Sequence, residues 1–178
     1  MQRDAIDAIN RTTMRSKAAV RAYSWCDELT PSECAALAHV EHEVRGRTIL
    51  DLGVGGGRTV RALRELGEDY VGVDISAPMI AACRRRFPHV RFVRADARDL
   101  SFLRDGTVGL VMFSCNGIGM VAQEDRIAIL REVHRVLDAR GAFVFSTHNQ
   151  RCPDHDAGFR LRPPPLTRNP IRMLVRSA

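Results

Sequence analysis

The stretch "TILDLGVGGGRTVRALRELG", Thr48 to Gly67, carries the reading of the fold. An apolar run ends at Asp51 and Leu52, glycines occupy positions 53, 55, 56 and 57, and a helical pattern follows at once. Glycine costs backbone entropy at a strand-to-helix corner, so this cluster implies that something approaches the backbone more closely than a Cβ would permit. A ligand is the occupant expected.

Outward from this corner the same alternation repeats. "YVGVDI" leads into "APMIAACRRRF", "VRFVRAD" is a third short apolar run, "VGLVMFS" precedes "EDRIAILREVHRVLD", and "AFVFSTHN" follows. Runs apolar almost throughout suit parallel strands covered by helices on both faces. The prediction is an α/β fold, a doubly wound, mostly parallel Rossmann-like sheet. Upstream, a loosely amphipathic pattern predicts a helix from Asp4 to Val20. A second helix opens at "TPSE", where Thr30 caps, Pro31 takes the first helical position and Glu33 completes a capping box. Arg45 and Gly46 end it. Three regions result: an N-terminal helical segment over 1–46, a ligand-binding core over 47–149, and a tail over 150–178. The prolines of "RPPPLTRNP" make that tail irregular.

With 178 residues and 45% hydrophobic content, the chain is the size of a single domain with one substantial core. Lys17 is the only lysine among 27 basic residues, so arginine carries the formal charge of +6. Arginine grips phosphate and carboxylate well, which suits RNA or an anionic substrate, yet these arginines are scattered as on an ordinary solvated surface. The five cysteines are odd in number and have no CxxC spacing, which argues against a disulfide framework or zinc knuckle and suits a reducing cytoplasm. The charged N-terminus lacks the apolar core of a secretion signal. Gly106 to Gln123 holds no acidic or basic residue, but Ser114, Asn116, Gly117 and Gly119 interrupt it, so it reads as a buried strand and loop and not a membrane span.

In such a sheet the loop after the first strand does much of the ligand holding. As GxGxxG from Gly53, the motif fails at Arg58, which disfavours a dinucleotide oxidoreductase; as DxGxGxG from Asp51, every position matches. Together with the acidic ends of the next two runs, Arg47 to Asn149 resembles the class I SAM-dependent methyltransferase family. The resemblance implies S-adenosylmethionine (SAM) as cofactor, cradled by Gly53, Gly55 and Gly57. It implies that Asp51 helps hold the methionine end, and that Asp74 accepts from the ribose hydroxyls unless it merely caps the next helix, for which Ser76 is the better placed residue. Asp96 would accept from the adenine amino group, with the amide of Ala97 available to the ring. Ile75 and Met79 either sandwich the adenine or are plain core.

The family supplies methyl-facing residues where "FSCNGIG" stands, which makes Ser114 a cofactor contact and Asn116 a contact for the acceptor. No Asn/Asp-Pro-Pro-aromatic or Pro-Cys signature of base methylation is present, so Cys115 reads as a packed thiol and not a nucleophile. His148 is a candidate general base or a loop-orienting residue. Tyr23 and Trp25 form part of a lid or dock the N-terminal helices. His39 and His42 fall on an exposed helix face, and Cys152 with His155 is half a zinc pattern. No metal is expected.

The implied function is methyl transfer to an oxygen or nitrogen of a small molecule. The alternatives are a SAM-binding module or truncated remnant without catalysis, and RNA methylation. Family members continue after the fifth strand with a helix and antiparallel strands that Gln150 to Ala178 is too short to supply. The expectation is therefore a fragment with reduced or absent activity, or a partner, such as a second copy, over the fifth strand's edge.

Overall fold

The computed structural model describes residues 8–9, 12–24 and 27–147. Helices α1 (Lys17–Tyr23) and α2 (Pro31–Val44) precede strand β1 (Thr48–Leu52). Then come α3 (Val60–Leu66), β2 (Asp69–Asp74), α4 (Ala77–Arg86), β3 (Arg91–Arg94), β4 (Val108–Phe113), a 3₁₀ turn at Gly117–Met120, α5 (Gln123–Val136) and β5 (Leu137–Phe145). The strands form one sheet in the order β3-β2-β1-β4-β5, and every pairing is parallel. The sheet is the α/β architecture expected, and no antiparallel strand occurs among the described residues.

Alternation along β1 sorts the core into two layers. Ile49 faces α2, α3 and α4, packing with Leu37, Val44, Leu63, Ile80 and Cys83. Leu50 and Leu52 face the opposite side, where α5 contributes Ile129, Val133 and Val136. Because successive connections leave β1 toward β2 on one side and return to β4 on the other, the chain reverses direction of travel at the β1/β4 boundary. A crevice opens beyond the carboxyl ends of strands at such a switch point.

The sequence predicts one helix over Asp4–Val20, but a break at Ser16 divides the described part. The Ser16 side chain accepts from the Ala19 N–H at 3.1 Å, starting α1 anew, while its own N–H closes the preceding turn onto Thr13 O. Serine competes with the helix for backbone bonds, which is why it caps better than it continues. The capping box of α2 forms as expected: Thr30 Oγ1 accepts from the Glu33 N–H, and Glu33 accepts from the Thr30 N–H. Ser76 stands at the start of α4 without capping it; its hydroxyl donates to Met14 O at 2.9 Å and ties the N-terminal segment to the sheet edge. No helix among the described residues is long and apolar enough to cross a membrane.

Candidate active site

A cavity of about 210 Å³ lies across the carboxyl ends of four adjacent strands. Its lining follows sheet order: Ala95 to Arg98 after β3, Asp74 and Ile75 after β2, Gly53 to Gly56 after β1, and Ser114 and Cys115 after β4. Met14 and Tyr23 from the N-terminal segment supply a further wall.

The glycine corner serves two masters. Gly53 and Gly55, at φ 63° and 55°, line the cavity. Gly57 does not; a Cβ there would meet the Phe87 ring at 2.9 Å and Cys83 Sγ at 3.3 Å, so this glycine lets the turn pack against α4. Gly56 lines the cavity but is pressed from outside, since a Cβ on it would lie 2.4 Å from Tyr23 O. Part of the glycine cluster therefore accommodates this chain's own N-terminal helix and not a ligand.

Asp51, expected at the methionine end of the cofactor, does not line the cavity. It shares the Ile49 face of β1 and is 1% exposed. There Thr59 Oγ1 and Tyr70 Oη both donate to its Oδ2, the latter at 2.7 Å. The carboxylate thus clamps the two ends of the glycine corner and acts on the site through backbone position. Burial pushes its pKa up to about 6, against the opposing hydrogen bonds from Thr59 and Tyr70. A folded pKa above the ordinary 3.8 means the native state holds the proton more tightly, so this contribution is complete below about pH 4 and is lost as pH rises through 6. It amounts to roughly 3 kcal/mol. Asp51→Asn is expected to flatten the fall in stability between pH 4 and 6, read from urea melts at fixed pH; an unchanged slope refutes the assignment.

Asp74, at the end of β2, accepts the Gly55 N–H on Oδ2 at 2.9 Å and the Ser76 N–H on Oδ1 at 2.7 Å. Burial raises its pKa while those two amides pull it down. The same carboxylate therefore joins the glycine corner to the start of α4 and lines the cavity. Each carboxylate oxygen accepts more than one hydrogen bond, so both face-on capacity and chemistry fit a donor pair such as a ribose diol.

Asp96 lines the cavity as expected, with Ala97, but in company the sequence does not announce. Arg98 grips it through Nε at 2.9 Å and Nη2 at 2.6 Å, and reaches Asp125 at 3.1 Å. Asp125 is 1% exposed at the start of α5. Ile75 is half-exposed and Met79 buried, and both line the same end.

After β4 the backbone enters the left-handed region at two consecutive non-glycine residues, Cys115 at φ 51° and Asn116 at φ 57°. This conformation is costly for such residues. It turns Ser114 and Cys115 toward the cavity, while Asn116 does not line it; the Asn116 N–H instead donates to Ser146 Oγ at 2.8 Å. Cys115 is exposed and not the packed thiol expected from sequence.

Arg58, which in the sequence marks only the failure of a dinucleotide motif, occupies the centre of this end. Its Nη1 and Nη2 donate to the two oxygens of Glu33 at 2.7 and 2.6 Å. Nη1 also reaches Glu28 O at 2.8 Å, and Nη2 reaches Ser114 Oγ at 3.1 Å and Cys115 Sγ at 3.2 Å. Burial alone would raise the pKa of Glu33, but the bonds from Arg58 and the Thr30 N–H hold it down at about 2. The only trace of this pair in the sequence is an arginine directly behind the glycines.

His148, Asn149, Trp25, Cys152, His155 and the tail over 150–178 lie outside the described residues. Tyr23 lines the cavity, and no cluster of metal-binding side chains occurs among the described residues.

Comparison with known proteins agrees with this architecture. A family model described as a methyltransferase domain matches residues 49–141. The chain is 36% identical over 129 residues to the cypemycin N-terminal methyltransferase of a Streptomyces species, covering 70% of this chain and 52% of that protein. A SAM-dependent methyltransferase structure from Mesorhizobium loti is 34% identical with a TM-score of 0.55, covering 65% of this chain and 52% of that one. A TehB-like SAM-dependent methyltransferase structure from Corynebacterium glutamicum is 26% identical with a TM-score of 0.54, covering 73% of each chain. The chain spans about half the length of the curated relatives it matches. With the matched region running from β1 into β5 and taking in every cavity-lining residue except Met14 and Tyr23, the chain belongs to the class I SAM-dependent methyltransferase family.

Proposed function

We propose that this chain is the cofactor-binding core of a methyltransferase that moves a methyl group from SAM to an oxygen or nitrogen of a small molecule. The observation that carries this reading is the run of Asp96, Asp74 and the glycine corner along one cavity wall, in the order of the strands that bear them. Asp74 would hold the ribose, Asp96 and Ala97 the adenine, and Ile75 and Met79 the faces of the ring. The bound cofactor supplies a methyl already activated on a sulfonium. The protein's work is then to align an acceptor and exclude water. A dedicated base is optional, because an amine or hydroxyl acceptor can pass its proton to solvent once the new bond has formed.

The small-molecule reading is supported by a wall with Met14, Tyr23, Met120 and Val121 in it, more apolar than a nucleic-acid groove. It is also supported by the relatives, among them a demethylmenaquinone methyltransferase by name. Cytoplasmic residence and a second copy against β5, the last strand of the described sheet, belong to the same proposal, the latter checked by light scattering.

The test is calorimetry with S-adenosylhomocysteine, followed by turnover of SAM against candidate acceptors. Asp74→Ala is expected to weaken S-adenosylhomocysteine by about 1 to 3 kcal/mol through lost hydrogen bonds, roughly 5- to 140-fold. Unchanged affinity would remove Asp74 from the site, and an absence of binding to the unmodified chain would remove the cofactor reading itself.

A further inference from the structure

Arginines that are scattered along the sequence gather in the fold at the β3 edge of the sheet. From Ala8 through Cys26, and again from Ile75 through Ala95, the chain has no acidic residue. The first segment exposes Arg15, Lys17 and Arg21, and its helix α1 lies on α4. The second exposes Arg84 and Arg85 in the last turn of α4, which packs on β3, and Arg91 and Arg94 on β3 itself. The acids that bracket the two segments are engaged elsewhere. Asp27 pairs with Arg61 and Arg86, Asp74 takes the amides of Gly55 and Ser76, and Asp96 is gripped by Arg98. None of the exposed cations just named has a carboxylate partner among the described residues. Such a face attracts a partner of opposite charge.

Two of these side chains are fixed along β3. Arg84 Nη2 donates to Phe92 O at 2.8 Å, and Arg94 Nε donates to Ile75 O at 3.3 Å. Among the described residues β3 is the end strand of the sheet and pairs only with β2. Because the Ala95 N–H donates to Asp74 O, alternation turns the backbone N–H groups of Phe92 and Arg94 to the outer edge. A strand edge flanked by fixed cations suits an extended polypeptide, whose backbone meets the edge and whose carboxylates meet the guanidinium groups. It suits single-stranded RNA poorly, because RNA-binding surfaces set exposed aromatic rings among their cations. Here Phe87 and Phe92 pack with the core, and Tyr23 lines the cavity. We infer that the face formed by α1, α4 and β3 docks an acidic polypeptide segment along β3. This goes beyond the methyltransferase reading and does not depend on it.

Fluorescence anisotropy on the full chain at low salt tests the docking with two labelled probes, a peptide of alternating glutamate and threonine and an oligouridylate of equal charge. Arg85→Glu combined with Arg91→Glu, both exposed and outside the cavity, is expected to weaken peptide binding by about tenfold or more. Arg104→Glu combined with Arg131→Glu makes the same change of charge on the α5 side and is expected to weaken it by less than about twofold. Equal losses from the two double variants would trace binding to net charge and overturn the proposal. Tighter binding of the oligouridylate than of the peptide would assign the face to RNA and also overturn it, as would no peptide binding by the unmodified chain. Should the Arg85 and Arg91 variant fail to fold, hydrogen exchange on the unmodified chain decides. Exchange of the amides over 91–95 is expected to slow by about fivefold or more when the peptide is added, and unchanged exchange there overturns the proposal. Neither readout involves the cofactor, so the outcome of S-adenosylhomocysteine calorimetry is separate from it.

Discussion

Glu33→Ala is expected to cost about 3 to 5 kcal/mol of unfolding free energy, because it strands the Arg58 guanidinium in a setting where only 17% of that side chain meets water. The pair crosses from α2 to the glycine corner, and the Glu33 side chain also accepts from the Thr30 N–H in the capping box, so one substitution removes an ion pair and one half of that box. A surface pair in the same helix gives the contrast: Arg45 and Glu41 are 58% and 41% exposed, and Glu41→Ala is expected to cost less than about 1 kcal/mol. Urea denaturation of both variants beside the unmodified chain tests this, and equal losses at the two positions would refute it. The same carboxyl sets an acid limit. With a folded pKa of about 2 against an ordinary 4.5, its contribution is complete above pH 4.5 and is lost as pH falls toward 2. That loss, roughly 3 kcal/mol, runs opposite to the Asp51 effect between pH 4 and 6. Together the two groups contribute most near pH 4, and Glu33→Gln is expected to remove the acid limb and to weaken the Asp51 limb, because the Glu33 charge is one of the influences that raise the Asp51 pKa.

These two carboxylates show where reading from sequence stops. The parallel strands were legible because both their faces are covered and the runs are apolar end to end, as in "VGLVMF", whose residues are all buried. The capping box was legible because its partners are three residues apart, whereas Asp74 was singled out by the family resemblance and not by local chemistry. Glu33 was readable as a cap but not as the partner of Arg58, which lies 25 positions away and meets it only once the sheet has formed. Asp51 looked like a ligand-facing acid by its place in the motif. Its neighbours Thr59 and Tyr70 come from the helix side of the corner and from the next strand, and only the parity of β1 decides which face it takes. Arg98, two residues from Asp96, was within local reach, but its anchoring by Asp125 from α5 depends on packing.

Gly56→Val is expected to lower stability by about 3 kcal/mol or more and to weaken S-adenosylhomocysteine, because backbone atoms of Tyr23 and Ser24, with Ser24 Oγ, are in the way. A Cβ at this position would stand 2.4 Å from Tyr23 O and 2.5 Å from Ser24 N, so the end of α1 must lift off the corner. Lifting it moves Met14 and Tyr23, two walls of the cavity, and strains the Ser76 hydroxyl bond to Met14 O. The Gly56 carbonyl resists any retreat of the corner, being held by Arg86, which itself is paired with Asp27 beyond α1. Gly55 provides the control. Its φ is 55°, so Gly55→Ala pays about 1 to 2 kcal/mol for the left-handed backbone, but the nearest atom to its Cβ is Tyr23 Cβ at an ordinary 3.7 Å. Backbone strain alone thus predicts that Gly55→Ala is the worse of two alanine substitutions, whereas close approach of the helix makes Gly56→Ala worse. Thermal melts of the two variants decide between them, and limited proteolysis near Ser24 shows whether α1 has come away. If Gly56→Ala melts with the unmodified chain and α1 stays protected, the helix does not press on the corner, and the N-terminal segment is no wall of this site.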